Sequence, residues 1–216
     1  DVKLSGLIDS HGSLESVFTN ELGMIRFAAL SQDEELIKVH KKIQKKLGPT
    51  SIIVRGDDNY PQRLVDHNRA PVLYTRGDSS LLSSGKSIAV IGTREPSNQM
   101  YDRGAEAVRR LVTEGYVVIS GLALGCDEFG HRIALQEGGR AIGVIGNSID
   151  RRYPKEHVEL HEVLERDQLL VSQFPLEYFL GRGGKGLIHR NKTMVSLTTD
   201  GVLVLESGDK RGTQHA

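Results

Sequence analysis

The second half of the chain alternates between two kinds of segment. Short apolar runs occur at SIAVIG (87–92), YVVISG (116–121), AIGVIG (141–146), QLLVSQF (168–174) and GVLVLES (201–207). Continuous apolar runs of this length, most of them closed by glycine, predict strands buried on both faces. Between them lie segments with helical spacing. Over 97–115, Ala105, Val108, Leu111 and Val112 share one face. Residues 127–139, with Asp127 as N-cap, 155–167 and 190–200 read the same way. Strand and helix in alternation predict a parallel sheet of right-handed βαβ units. The fold class is therefore α/β, a Rossmann-like parallel sheet flanked by helices, over residues 87–216.

The first half has a different pattern. Leu4, Leu7, Ile8, Leu14, Val17 and Phe18 are spaced for one buried helical face, so residues 1–50 read as a small helical N-terminal domain. Within it, residues 33–48 place acids first and lysines last, which suits the helix dipole, and Gly48-Pro49 stops the helix. Lys38, Lys41, Lys42, Lys45 and Lys46 form either a DNA-binding face or a solvated one. Residues 51–86 carry two short strands, SIIVRGDDNYP and APVLYTRGD, and read as a linker and lead-in to the main domain. No internal repeat or low-complexity tract interrupts the 216 residues.

Charge and composition narrow the function classes. Lys and Arg number 28 and so do Asp and Glu, which excludes a histone-like polycation but leaves room for a local basic patch. Glycine, 24 residues, exceeds the usual share of about 7%, as expected where many tight turns join strands to helices. One cysteine, Cys126, excludes an intrachain disulfide framework and fits a reducing, cytoplasmic compartment. No apolar run approaches the roughly 18 residues of a membrane span and no signal peptide opens the chain, so no membrane partner is expected. The chain opens at Asp1 without Met and closes at Ala216 in what reads as the start of a helix. It is expected to be a fragment, or the ordered part of a longer protein, with the C-terminal end missing.

In such a sheet, ligands sit at the carboxyl ends of the strands. Four loops there carry candidate chemistry. In IGTREPSNQ (91–99), Gly92 ends a strand, Ser97 can cap the next helix, and Thr93 and Arg94 add donors suited to phosphate. In SGLALGCDEFGH (120–131), Gly121 and Gly125 flank a bend where backbone can approach a phosphate closely. His131 is read as a structural histidine or a ligand contact, and Cys126 as a buried small residue. GRGGKGLIHRNK (181–192) holds Arg182, Lys185, Arg190 and Lys192 with no acid, a cationic and pliable loop beside a helix start, or a plain surface loop. ESGDKRGTQHA (206–216) offers Gly208 and Gly212, with Thr213 at a helix start. Catalytic motifs are missing: there is no HExxH, no CxxC, no Walker A loop and no defensible Ser–His–Asp set. His157 and His161, four apart on one predicted helix, read as a solvated face, and no metal or other cofactor is expected.

From Tyr60 to Ala216 the chain resembles the DprA (Smf) family of DNA-processing proteins. The resemblance rests on NYPQRL (59–64), APVLYTRGD (70–78), AVIGTREPS (89–97), VVISGLALGCDEFGHRIAL (117–135), GGRAIGVIGNSIDRRYP (138–154), LLVSQFP (169–175), HRNK (189–192) and VLVLESGDKRGT (202–213), in order and spacing. Residues 1–50 look like the family's small N-terminal domain, of SAM- or HhH-like type and truncated. The resemblance implies a homodimeric, non-enzymatic binder of single-stranded DNA. It would protect incoming strands and load a RecA-type recombinase during transformation. By position it assigns the strand-binding pocket to Gly92, Thr93, Arg94, Ser120, Gly121, Gly125, Arg190, Asn191 and Lys192. Lys185 and Ser97 join them from charge and capping alone, and Gly212 and Thr213 from the fourth loop. Departures are Cys126 where the family usually has Ile, Lys192 where it has Arg, and Leu187 and His189 in place of the usual approach to the basic motif.

A second reading is a nucleotide-binding or nucleotide-hydrolysing protein of the related LOG type. That group carries a PGGxGTxxE motif. Here Gly212-Thr213 is present, but the leading PGG is not, and Ala216 stands at the place of the catalytic Glu.

Overall fold

The computed structural model describes Lys45 and residues 48–67, 69–176 and 185–208, with only the backbone of Lys185. By contacts the chain divides into two units, Asp1–Gly48 and Pro49–Ala216. Of the helical reading of residues 1–50 and its lysine face, only Lys45, helical and exposed, and residues 48–50 fall among the described residues.

Seven strands form one sheet: β1 (Ser51–Val54), β2 (Val72–Gly77), β3 (Ser87–Ile91), β4 (Val117–Ser120), β5 (Arg140–Ile145), β6 (Leu169–Ser172) and β7 (Val202–Val204). Their order is β1-β2-β6-β5-β4-β3-β7. From β6 to β7 every pairing is parallel, as the apolar runs predict. The sheet is nevertheless mixed. β2 runs antiparallel to β6 with Tyr74 opposite Ser172, and β1 runs antiparallel to β2. Residues 51–86, expected as a linker and lead-in, instead extend the main sheet by two strands. The hydrogen-bonding edge of β6 is thereby covered rather than left open.

Among the described residues five α-helices accompany it: α1 (Gln62–Asp66), α2 (Asn98–Thr113), α3 (Cys126–Gln136), α4 (Val158–Asp167) and α5 (Lys185–Ser196). Two corrections to the expected boundaries have local causes. α3 begins at Cys126 with Gly125 in the cap position, so Asp127 lies in the first turn rather than capping it. α5 begins at Lys185 rather than 190, because the glycines at 183, 184 and 186 mask a helical run that tertiary packing supports.

Side chains alternate across the strands, which divides the core in two. Ala89, Ile91, Val117, Ile119, Ile142, Val144, Leu169 and Val171 face Leu64 of α1, Met194 of α5 and Leu197 in the turn that follows α5. On the opposite side, Val90 and Val118 meet Ala105 and Val108 of α2 and Ile133 and Ala134 of α3. There Ala141, Ile145 and Leu170 meet Leu160 and Leu164 of α4. Each fully buried Leu or Ile contributes about 1.5–3 kcal/mol, so this two-faced burial holds the strand ends rigidly in register.

Candidate nucleic-acid interface

The carboxyl ends of β7, β3 and β4 lie side by side, and the loops leaving them interlock. Thr93 N–H donates to the Glu206 carbonyl at 2.8 Å, and the Thr93 carbonyl accepts from Cys126 N–H at 3.0 Å. One residue of the first loop thus bridges the other two. The spacing leaves no room for side chains. A Cβ on Gly92 would lie 2.5 Å from Cys126 Sγ and 2.8 Å from the Glu206 carbonyl. One on Gly208 would lie 2.7 Å from Thr93 Oγ1. Gly125, at φ +81°, would bring its Cβ within 2.5 Å of the Thr93 carbonyl. Gly92 and Gly125 are therefore demanded by the packing of loop on loop. Gly125→Ala meets both a left-handed φ and backbone atoms that cannot yield. It is expected to cost about 1–3 kcal/mol, read as a fall in the urea midpoint. An unchanged midpoint would refute this account of the bend.

Ser97 caps α2 by accepting from Met100 N–H at 3.3 Å. The same residue donates through its N–H and its hydroxyl to Glu206 Oε2, at 3.0 and 2.9 Å. The protein's own carboxylate thus occupies the donors that the sequence marks as an anion cradle. The sequence reading missed Glu206. Its one signal was an acid near the carboxyl end of the apolar run 201–207, at the edge where ligands gather. Arg94, between Thr93 and Ser97, is exposed.

Other assigned residues point inward. The Ser120 hydroxyl is buried and donates to the Val90 carbonyl at 2.5 Å, committed to the sheet. Arg190 is 4% exposed. Its Nη1 donates to the carbonyls of Gly121 and, at 2.8 Å, Val144, which tie the ends of β4 and β5 to α5. A Cβ on Gly121 would fall inside that guanidinium, which is why glycine stands there. Burial pushes the Arg190 pKa down, opposed by the Asp127 carboxylate and assisted by Arg94. Asp127 in turn is pushed up by burial and held back chiefly by Arg190. Asn191 is half-buried and Lys192 exposed on α5, about two turns beyond the backbone of Lys185. Gly212 and Thr213, and with them Ala216 at the position of the LOG-type Glu, lie outside the described residues.

Behind the loops lies a buried polar cluster. His131, His157 and His161 are all buried, so the pair on residues 157 and 161 is not the solvated face its spacing suggested. His157 Nδ1 lies 3.0 Å from the Leu122 carbonyl, and its Nε2 lies 2.7 Å from Glu128 Oε2. Burial lowers the His131 pKa to about 4 and pushes Cys126 up to about 11, so the thiol stays protonated and is a poor nucleophile at neutral pH. Among the described residues no group of three metal-ligating side chains is placed to hold an ion, and no helix is long and apolar enough to cross a membrane.

Residues 51–216 match the family described as DNA recombination-mediator protein A. The chain is 34% identical over 165 residues to the DNA processing protein DprA of Streptococcus pneumoniae, covering 72% of this chain and 54% of that one. It is 32% identical over 145 residues to DprA of Bacillus subtilis, covering 65% and 46%. The Escherichia coli protein Smf is 28% identical over 219 residues, covering 98% and 56%. The chain therefore spans about half the length of the curated relatives it matches. Among solved structures, S. pneumoniae DprA superposes with a TM-score of 0.72 at 24% identity, covering 92% of this chain and 73% of that one. DNA processing protein A of Helicobacter pylori, described for its single-stranded DNA binding mode, superposes with a TM-score of 0.61 at 26% identity, covering 77% and 73%.

Proposed function

The chain belongs to the DNA recombination-mediator protein A family, and from that premise we propose that it binds single-stranded DNA along the carboxyl edge of its sheet. The observation that carries this reading is the exposed Arg94, held on the rigid junction of three interlocked loops. A guanidinium on a pinned backbone contacts phosphate with little ordering cost, and each phosphate neutralised releases counterions. Lys192, exposed on α5, supplies a second cation. Arg190, Gly121 and Ser120 serve this edge from beneath, by fixing where the loops begin. The H. pylori relative, a binder of single-stranded DNA, supports the choice of ligand.

The wider role follows the family. The protein acts in the cytoplasm as a homodimer, shields incoming single strands and passes them to a RecA-type recombinase during transformation, without enzymatic turnover. The direct test is titration of a fluorescent oligothymidylate at several salt concentrations, with a duplex of equal length beside it. Single strands should bind more tightly than duplex, with affinity falling steeply as salt rises. Arg94→Ala should weaken binding and reduce the salt slope by about one. Binding that ignores salt, or an Arg94→Ala variant that binds like the parent, would refute the assignment. Incubation with nucleoside monophosphates should release no free base; release would favour the LOG-type alternative.

A further inference from the structure

The loop after β5, NSIDRRYPK (147–155), contributes nothing to the site described above, yet it leaves the same edge of the sheet. β5 pairs with β4, and Arg190 Nη1 holds the carbonyls of Gly121 and Val144 together, so the loops after β4 and β5 start side by side. His157 then ties the far end of the β5 loop back to the β4 loop through the Leu122 carbonyl at 3.0 Å and to Glu128 of α3 at 2.7 Å.

This loop is pinned on both sides of one aromatic residue. Upstream, Ser172 Oγ donates to the Asn147 carbonyl at 2.5 Å, and Arg151 N–H to the Ser148 carbonyl at 3.1 Å. Arg152 turns toward α4 and pairs with Glu162 at 2.6 Å and Glu165 at 3.2 Å. The Tyr153 carbonyl accepts from His161 Nε2 at 3.2 Å, and the Pro154 carbonyl from His157 N–H at 3.2 Å. Tyr153 itself remains 49% exposed, the most exposed large hydrophobic side chain among the described residues. Arg151 and Lys155, flanking it in sequence, are exposed as well, and Leu124 on the neighbouring β4 loop is 42% exposed. A ring at that exposure on a fixed backbone loses little entropy when a planar partner settles on it. Cations on either side suit the phosphates of that partner.

We propose that Tyr153 is a base-stacking platform for single-stranded DNA, with Arg151 and Lys155 receiving the flanking phosphates. The strand then runs from the Arg94 junction across the β4 loop to the β5 loop. This rests on the single-strand reading above and adds to it a contact with the bases, which phosphate binding alone does not require. Stacking on an aromatic ring tolerates any base, so little sequence preference results.

The test compares an oligothymidylate with an abasic oligomer of equal length and phosphate number, at fixed salt, for the parent chain, Tyr153→Ala, Tyr153→Phe and Arg94→Ala. Tyr153→Ala should weaken oligothymidylate binding about tenfold. Tyr153→Phe, which keeps the ring, should stay within about twofold of the parent. On the abasic oligomer the parent and Tyr153→Ala should be equal. A matched urea midpoint for each variant confirms that the fold is intact. If Tyr153→Ala binds oligothymidylate as the parent does while Arg94→Ala is impaired, the platform is refuted and the single-strand reading stands. Equal loss on both oligomers also refutes the platform, since the effect would not depend on bases. If the parent shows no salt-sensitive binding, both fail together.

Discussion

Replacing Arg190 by alanine is expected to lower stability by about 3–5 kcal/mol, a larger effect than any exposed cation of this chain can show. Three losses coincide. The carbonyls of Gly121 and Val144 lose their donor in a dry setting. The buried Asp127 carboxylate loses the positive charge that chiefly offsets its burial. A cavity opens beside Gly121, which has no side chain of its own to fill the space the guanidinium held. Urea denaturation would show the midpoint fall. An Arg190→Met variant separates volume from charge: it should remain destabilised, and adding Asp127→Asn should restore part of the loss. A Met variant as stable as the parent would overturn the electrostatic account. Impaired DNA binding by an Arg190 variant would consequently report on loop geometry. The exposed Lys192 is the residue by which to probe the basic motif for phosphate contact.

Acid should destabilise the chain well above the range where carboxylates titrate. His131 is fully buried, and burial lowers its pKa from 6.5 to about 4, with His161, His157 and Arg190 adding repulsion and the Ser120 backbone partly opposing. The unfolded chain therefore takes up a proton near pH 6.5 that the folded chain refuses until about pH 4. The stabilisation is complete above the unfolded value and is lost as pH falls toward the folded one. At about 1.4 kcal/mol per unit, the loss across that window is about 3 kcal/mol. His161, lowered by its own burial, acts in the same direction. Asp127, raised by burial, opposes it, since the folded chain then holds a proton more readily than the unfolded one. Urea midpoints at pH 7.5 and 4.5 would measure the difference. His131→Leu should flatten the dependence, and a parent midpoint constant between those values would refute it.

The strands β3 to β6 were legible because a strand buried on both faces leaves a local mark, a short apolar run closed by a breaker. α2 was legible for the same kind of reason: Ser97 caps it and the apolar spacing gives its inner face. The start of α5 was hidden by glycines, whose weak helix propensity dominates a local reading while packing dominates the fold. His157 and His161 show a further limit. Spacing of four places two residues on one helical face without saying whether that face meets water or core, and here it meets core.

The sequence by itself determined the alternation of strand and helix, the positions of the tight turns and the family, all of which depend on residues near one another in the chain. Only the tertiary structure decided the fate of the charged and polar groups. Whether Arg190 meets a phosphate or two carbonyls depends on where the ends of β4 and β5 lie, 69 and 46 residues away. Whether the cradle at Ser97 stands open depends on Glu206, 109 residues on. Whether residues 51–86 link or pair depends on the free edge of β6. Burial and partnership are properties of contacts between distant segments, and a charge carries no local sign of which of its possible partners the fold will bring to it.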